Sequence, residues 1–197
     1  MLYLLSLIAL AAVLAPGLTR LLGARTGWLL MLAPLAAFIW FVQQIPLIAD
    51  GGAVMQSVSW IPALGINLRL RLDGLSLVFA LLISGIGSLI VLYAGSYLSS
   101  HVHLGRFHAY LLVFMLAMLG LVLADDLVAM FVFWELTSIA SFLLISFQHE
   151  KAVSRRAALQ ALLITGGGGL ALLAGLILLG GATGNWQFSS LSAEQIE

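Results

Sequence analysis

Six runs of apolar residues, each close to the length of a bilayer crossing, constrain this chain more than any other feature. They cover 2–18, 28–49, 75–98, 109–124, 127–147 and 157–182. A helix needs about 20 mainly apolar residues to cross the hydrocarbon layer, within a range of ~17–25. The fourth run is short, and Asp125 and Asp126 separate it from the fifth. Fusing the two would place adjacent carboxylates in lipid, so a turn is expected there. Charged residues make up 8% of the chain and hydrophobic ones 62%, against roughly 25% and 45–50% in soluble domains. A water-soluble globule of this size would lack the polar surface to cover itself. The expected fold class is an all-α polytopic membrane protein with about six transmembrane helices. Residues 1–15 lack the basic start of a signal peptide, so the first run reads as a retained span.

The sparse charges set an expected orientation. Arg20, Arg25, Arg106, Lys151, Arg155 and Arg156 fall in three alternate loops, six of the eight basic residues. The opposite side holds Arg69 and Arg71 with Asp50, Asp73, Asp125, Asp126, Glu194 and Glu197. The excess of Lys and Arg marks the cytoplasmic face, and an even number of spans then puts both ends of this segment outside. The expected division is 1–50 for helices one and two, 51–73 for an external loop, 74–184 for helices three to six, and 185–197 for a further external loop. Zero net charge and the lack of a basic block argue against nucleic acid as a partner, and the absence of cysteine excludes disulfides and thiolate metal sites.

Within the external loop, Asn67-Leu68-Arg69-Leu70-Arg71-Leu72 alternates polar and apolar, the period of a half-buried strand. Residues 58–61 could pair with it across the turn-like Pro62-Ala63-Leu64-Gly65, giving a small β-hairpin over the helices. Gly166–Gly169 lies inside the sixth run with no P-loop lysine after it. Close helix packing or a local flex point is expected there, because small residues let helices approach in lipid.

One residue carries chemistry. Glu135, in Phe133-Trp134-Glu135-Leu136-Thr137-Ser138, is the charged residue well inside a span. An ionised carboxylate there costs at least about 2.5–3.5 kcal/mol on insertion scales. Protonation or a neighbouring cation relieves that cost, and a site alternating between the two is a proton-binding switch. The alternative is a permanently neutral packing residue, with Ser138 one turn along as its hydrogen-bond partner. Thr137 and Ser141 are expected to bond back to the helix backbone. His101, His103 and His108 crowd one basic loop, where ordinary solvated histidines are expected rather than a metal site. His108 and His149, near span ends, are candidate proton carriers between water and the interior. No nucleophile–base set, cofactor fingerprint or metal cluster marks an enzyme, so neither cofactor nor metal is expected.

The residues quoted so far also carry a family resemblance. Asp73-Gly74-Leu75-Ser76-Leu77 resembles the opening of the corresponding helix in the antiporter-like subunits of Mrp-type multisubunit Na+/H+ antiporters and of respiratory complex I. Met118-Leu119-Gly120-Leu121-Val122-Leu123-Ala124-Asp125-Asp126, followed by the Trp-Glu-Leu-Thr-Ser stretch, is the stronger match. Residues 158–175, with their glycines, look most like the N-terminal part of the large A subunit of Mrp complexes. The resemblance implies a bacterial cell-membrane protein, assembled with other subunits, that exchanges Na+ for protons. It implies that Glu135 belongs to a proton pathway and pairs with a lysine on a following helix. No lysine lies in any span here, since Lys151 is the single one. The partner lysine is therefore expected from a later part of a longer subunit or from another chain of a split one.

The leading expectation is an antiporter subunit in which an approaching cation lowers the affinity of Glu135 for its proton. The runner-up is a proton-pumping subunit of complex I or a membrane-bound hydrogenase. A third possibility is a non-transporting scaffold.

Overall fold

A computed structural model describes residues 1–61 and 66–191. Among these, five helical stretches are long and apolar enough to cross a membrane: Leu2–Gln43, Gly74–Tyr97, Leu104–Leu123, Leu127–Gln148 and Ala152–Thr183. The first crosses twice. Helix α1 (Leu2–Leu22) ends at Gly23, whose φ of 58° is one that side-chain-bearing residues avoid. A short 3-10 turn, Gly23–Arg25, then starts the chain back. The ring of Tyr3, at the start of α1, meets that of Trp40 edge-on at 6.2 Å. That contact is possible only if the two arms run antiparallel, so the described residues make six passes.

The second pass is not one rod. It is α2 (Thr26–Leu30), α3 (Leu32–Gln43) and α4 (Ile45–Ala49) in series. Proline explains both joints. Pro34 and Pro46 have no N–H for the carbonyls of Leu30 and Val42 four residues back, so the ladder breaks near Met31 and Gln44. The remaining passes are α5 (Gly74–Tyr97), α6 (Leu104–Leu123), α7 (Leu127–Ile145) and α8 (Ala152–Thr183).

Helix α6 is the hub, with α1, α5 and α7 packed against it and α8 packed on α7. The buried face of α5 is largely small (Ser76, Ala80, Ser84, Gly87, Ser88, Ala94, Gly95), which lets neighbouring backbones approach. At its crossing with α2, a β-carbon on Gly95 would lie 2.8 Å from the carbonyl oxygen of Ala24. Helix α8 is the least covered: Ala158, Gly169, Leu176 and Gly180 are its buried residues.

A two-stranded antiparallel sheet, β1 (Val54–Ile61) with β2 (Ile66–Leu72), lies over one end of the bundle. The expected hairpin is present, although its turn, 62–65, lies outside the described residues. Strand β1 begins four residues earlier than its sequence pattern indicates, and Gln56 is the reason. This polar residue pairs with buried Leu70, and its side-chain oxygen accepts a hydrogen bond from the Leu2 N–H at 3.0 Å. The apolar alternation therefore breaks where the strand in fact continues. Leu70 and Leu72 seal the sheet onto the helices, both essentially without exposure.

Candidate functional site: a carboxyl group between α7 and α8

Helix α7 is fixed at its start. Asp126 caps it, accepting hydrogen bonds from the N–H groups of Val128 (3.0 Å) and Ala129 (3.1 Å), which satisfies donors that a helix leaves unpaired. Eight residues on from Leu127, at 1.5 Å per residue, Glu135 stands about 12 Å along the axis. Its carboxylate therefore lies deep within the apolar length of the helix. Oε1 of Glu135 is buried and has no hydrogen-bond partner among the described residues. The group lies directly against Gly169 of α8, where an added methyl would overlap Oε1.

The hydroxyl groups near Glu135 are turned elsewhere. Thr137 donates to the carbonyl of Trp134 at 2.7 Å, the back-bonding expected of it. Ser138 makes a long contact of 3.4 Å to the same carbonyl rather than a bond to Glu135. A hydroxyl held that loosely is free to turn.

The histidines divide differently from their sequence spacing. His101, His103 and His149 gather at one end of the bundle with Phe107 and Phe147. Ring centroids are 5.9 Å apart for His101 and His103, 6.4 Å for His103 and His149, and 4.9 Å for His101 and Phe147. His149 thus takes the place expected for His108, through a contact spanning 46 residues of sequence that no local pattern marks. These histidines form no grouping fit for a metal ion among the described residues. His108 is instead fully buried. Its Nε2 faces the carbonyl of Val91 at 3.2 Å, so Nε2 carries the hydrogen and Nδ1 is an acceptor, buried without a partner. At helical rise His149 stands on the order of 20 Å from Glu135 along the axis, so neither it nor its cluster touches the carboxyl group.

At the hairpin end, Asp73 caps α5 in a reciprocal capping box with Ser76. The Ser76 backbone N–H holds the Asp73 carboxyl below the usual carboxylate range, helped by the Ser76 hydroxyl and by Arg71 and opposed by partial burial. Arg71 Nε lies 3.7 Å from Asp73. These groups line a cavity of about 270 Å³ together with Phe79, Asp125 and Met130.

Asp125 does more than sequence reasoning assigned it. Its carboxylate accepts hydrogen bonds from the Ser189 N–H (2.9 Å), the Ser189 hydroxyl (2.8 Å) and the Gln187 amide (3.1 Å). Gln187 in turn accepts from Arg69 at 2.9 Å, and the Asp125 N–H donates to the Arg69 carbonyl. The α6–α7 turn, the hairpin and the segment after α8 are thereby tied into one network. A pair of acids read as a turn gives no sign of that.

Comparison with known proteins gives a consistent picture. Residues 124–196 match the domain family described as "NADH:quinone oxidoreductase/Mrp antiporter, TM". Residues 60–108 match "NADH-Ubiquinone oxidoreductase (complex I), chain 5 N-terminus". The chain is 51% identical over 153 residues to the A1 subunit of the Na(+)/H(+) antiporter of Staphylococcus haemolyticus (strain JCSC1435), covering 78% of this chain and 19% of that protein. It is 47% identical over 168 residues to the A subunit of the Na(+)/H(+) antiporter of Alkalihalophilus pseudofirmus (strain ATCC BAA-2126 / JCM 17055 / OF4), covering 85% of this chain and 21% of that one. It thus spans about a fifth of the length of these relatives. Among solved structures, it superposes on a chain of the Mrp complex from Dietzia sp. DQ12-45-1b with a TM-score of 0.84 and 36% identity, over 95% of this chain and 20% of that one. A chain of the archaeal membrane-bound sulfane sulfur reductase shares the fold alone, with a TM-score of 0.72 at 22% identity, over 93% of this chain and 28% of that one.

Proposed function

The chain belongs to the NADH:quinone oxidoreductase/Mrp antiporter family of multi-pass membrane subunits, in its N-terminal, A-subunit-like part, and we propose that it contributes a protonatable glutamate, Glu135, to Na+/H+ exchange by a multisubunit antiporter. The observation that carries this reading is the buried, unpartnered Oε1 of Glu135 midway along a spanning helix. A charge held there without a partner is costly, and either a bound proton or a nearby cation relieves that cost. The names of the relatives at 47–51% identity support antiport as the use made of that switch.

The cation that meets Glu135 comes from outside this helix pair. Lys151, the one lysine, stands at the start of α8, away from the span's centre. Glu135 forms no ion pair among the described residues, where Arg71–Asp73 is the pair that closes. A lysine on a further helix, of the same subunit or of a partner subunit, fills the role. Its approach favours the carboxylate and releases a proton, and its withdrawal allows reprotonation, so the two charges are linked reciprocally. Ser138 can turn toward the carboxyl group as it changes state. His108 and His149 are candidate carriers nearer the bundle ends.

A redox-driven proton pump is the second reading, because both matched domain families are described in terms of NADH oxidoreductases as well. Genes for small antiporter subunits beside this one favour antiport, and genes for quinone or hydrogenase subunits favour the pump. The direct test is Glu135→Gln in the assembled complex, assayed for Na+-dependent proton movement in everted vesicles. Loss of antiport with assembly intact is expected, and antiport at the normal rate refutes the role.

A further inference from the structure

The sixth pass carries four consecutive glycines, Gly166–Gly169, and they are not equivalent. Beyond the helix's own neighbouring backbone, no heavy atom of the described residues lies within 4 Å of where a β-carbon would stand on Gly166, Gly167 or Gly168. At Gly169 the same position is occupied by the Glu135 carboxyl group, with Trp134 Cδ1 at 3.7 Å. Gly169 is also a buried residue of a helix that is otherwise mostly uncovered. With 3.6 residues per turn, one of the four glycines faces α7, and what it meets there is a carboxyl group rather than an apolar side chain alone.

We propose that Gly169 is the seat of the protonated Glu135 side chain, a positioning residue whose missing β-carbon holds the carboxyl group between α7 and α8 until it ionises.

This rests on the proton-binding role proposed for Glu135 and deepens it. Among the described residues, no donor meets Oε1 in the seat. A neutral carboxyl tolerates an unpaired acceptor far better than a carboxylate tolerates an unpaired charge. The seat therefore suits the neutral form, and ionisation favours departure toward a cation elsewhere. Nearby charges do not change this. The elements packed against α7 carry Arg106, His108 and Tyr110 on α6, Arg155 and Arg156 at the start of α8, and Arg69 and Arg71 on β2. None of these is a hydrogen-bond or ion-pair partner of Oε1.

The test is the pH profile of Na+/H+ antiport in vesicles bearing the whole complex, with Gly169→Ala compared with Gly167→Ala. Both substitutions remove a helix-weakening glycine and add one methyl group, but only the first fills the seat. Crowding the neutral form should favour the ionised one, so the pH of half-maximal antiport should fall by about one unit, a tenfold change in proton concentration, in G169A. It should stay in place in G167A. Shortening the acid by one methylene, as Glu135→Asp in the G169A background, should move the profile back toward that of the wild type. Should G169A fail to assemble, the double variant should assemble, because the overlap is gone. Equal profiles for G169A and G167A, or no recovery in the double variant, overturn the seat. If Glu135→Gln transports normally, the underlying reading fails instead, so the two failures are distinguishable.

Discussion

Asp125 is 5% exposed and has no counter-ion among the described residues, yet its carboxylate is well satisfied: three donors from Gln187 and Ser189 converge on it. Hydrogen bonds to a charged acceptor contribute more than neutral ones, and leaving buried donors unpaired adds a penalty. Asp125→Ala should therefore lower stability by roughly 2–4 kcal/mol, read as a reduced thermal midpoint in detergent, while Asp125→Asn, which keeps one acceptor oxygen, should cost less. Glu135 is the opposite case, an acid whose buried oxygen has no donor at all among the described residues. In the sequence, Glu135 stands out because it interrupts an apolar run, and that contrast is enough to find it. Its contact with Gly169 is not legible there. Four identical glycines differ only in what faces them across the helix pair, and a sequence does not record that. His149 joining His101 and His103 is hidden for the same reason, since its neighbours are distant in the chain.

At the scale of elements, runs of apolar residues locate every pass, because a helix in lipid must satisfy its backbone internally and present apolar side chains outward. The breaks in the second pass follow from Pro34 and Pro46, residues visible in the sequence whose effect on the ladder is local. Strand β1 is only half legible, because Gln56 serves the start of α1 and so spoils the alternation. The α6–α7 turn is expected from Asp125 and Asp126, but only the structure shows that one caps α7 and the other ties in the hairpin. The proposed sidedness of the elements is open to direct labelling because the chain has no cysteine. Ser99→Cys, in the α5–α6 loop, should react with an impermeant maleimide only from the cytoplasmic side, and Ser57→Cys, in β1, only from the outside. The reverse pattern would invert the orientation.

Taken whole, the molecule is a hub-and-spoke bundle in which α6 is enclosed and α7 and α8 form the open flank. The share of buried residues falls from 44% in the α6 span to 17% and 11% in the last two. Glu135 lies on that flank, facing α8, the side from which the proposed cation would have to approach. The small-residue faces and the Asp125 network hold the frame around the one carboxyl group proposed to change state. Infrared difference spectroscopy of the reconstituted complex, between acid and alkaline pH and with and without Na+, tests the proposed change of state directly. A protonated-carboxyl band that disappears as pH rises or Na+ is added, and that is missing from Glu135→Gln, is the expected result. Identical spectra for the wild type and Glu135→Gln under all of these conditions would contradict the proton-binding role at its root.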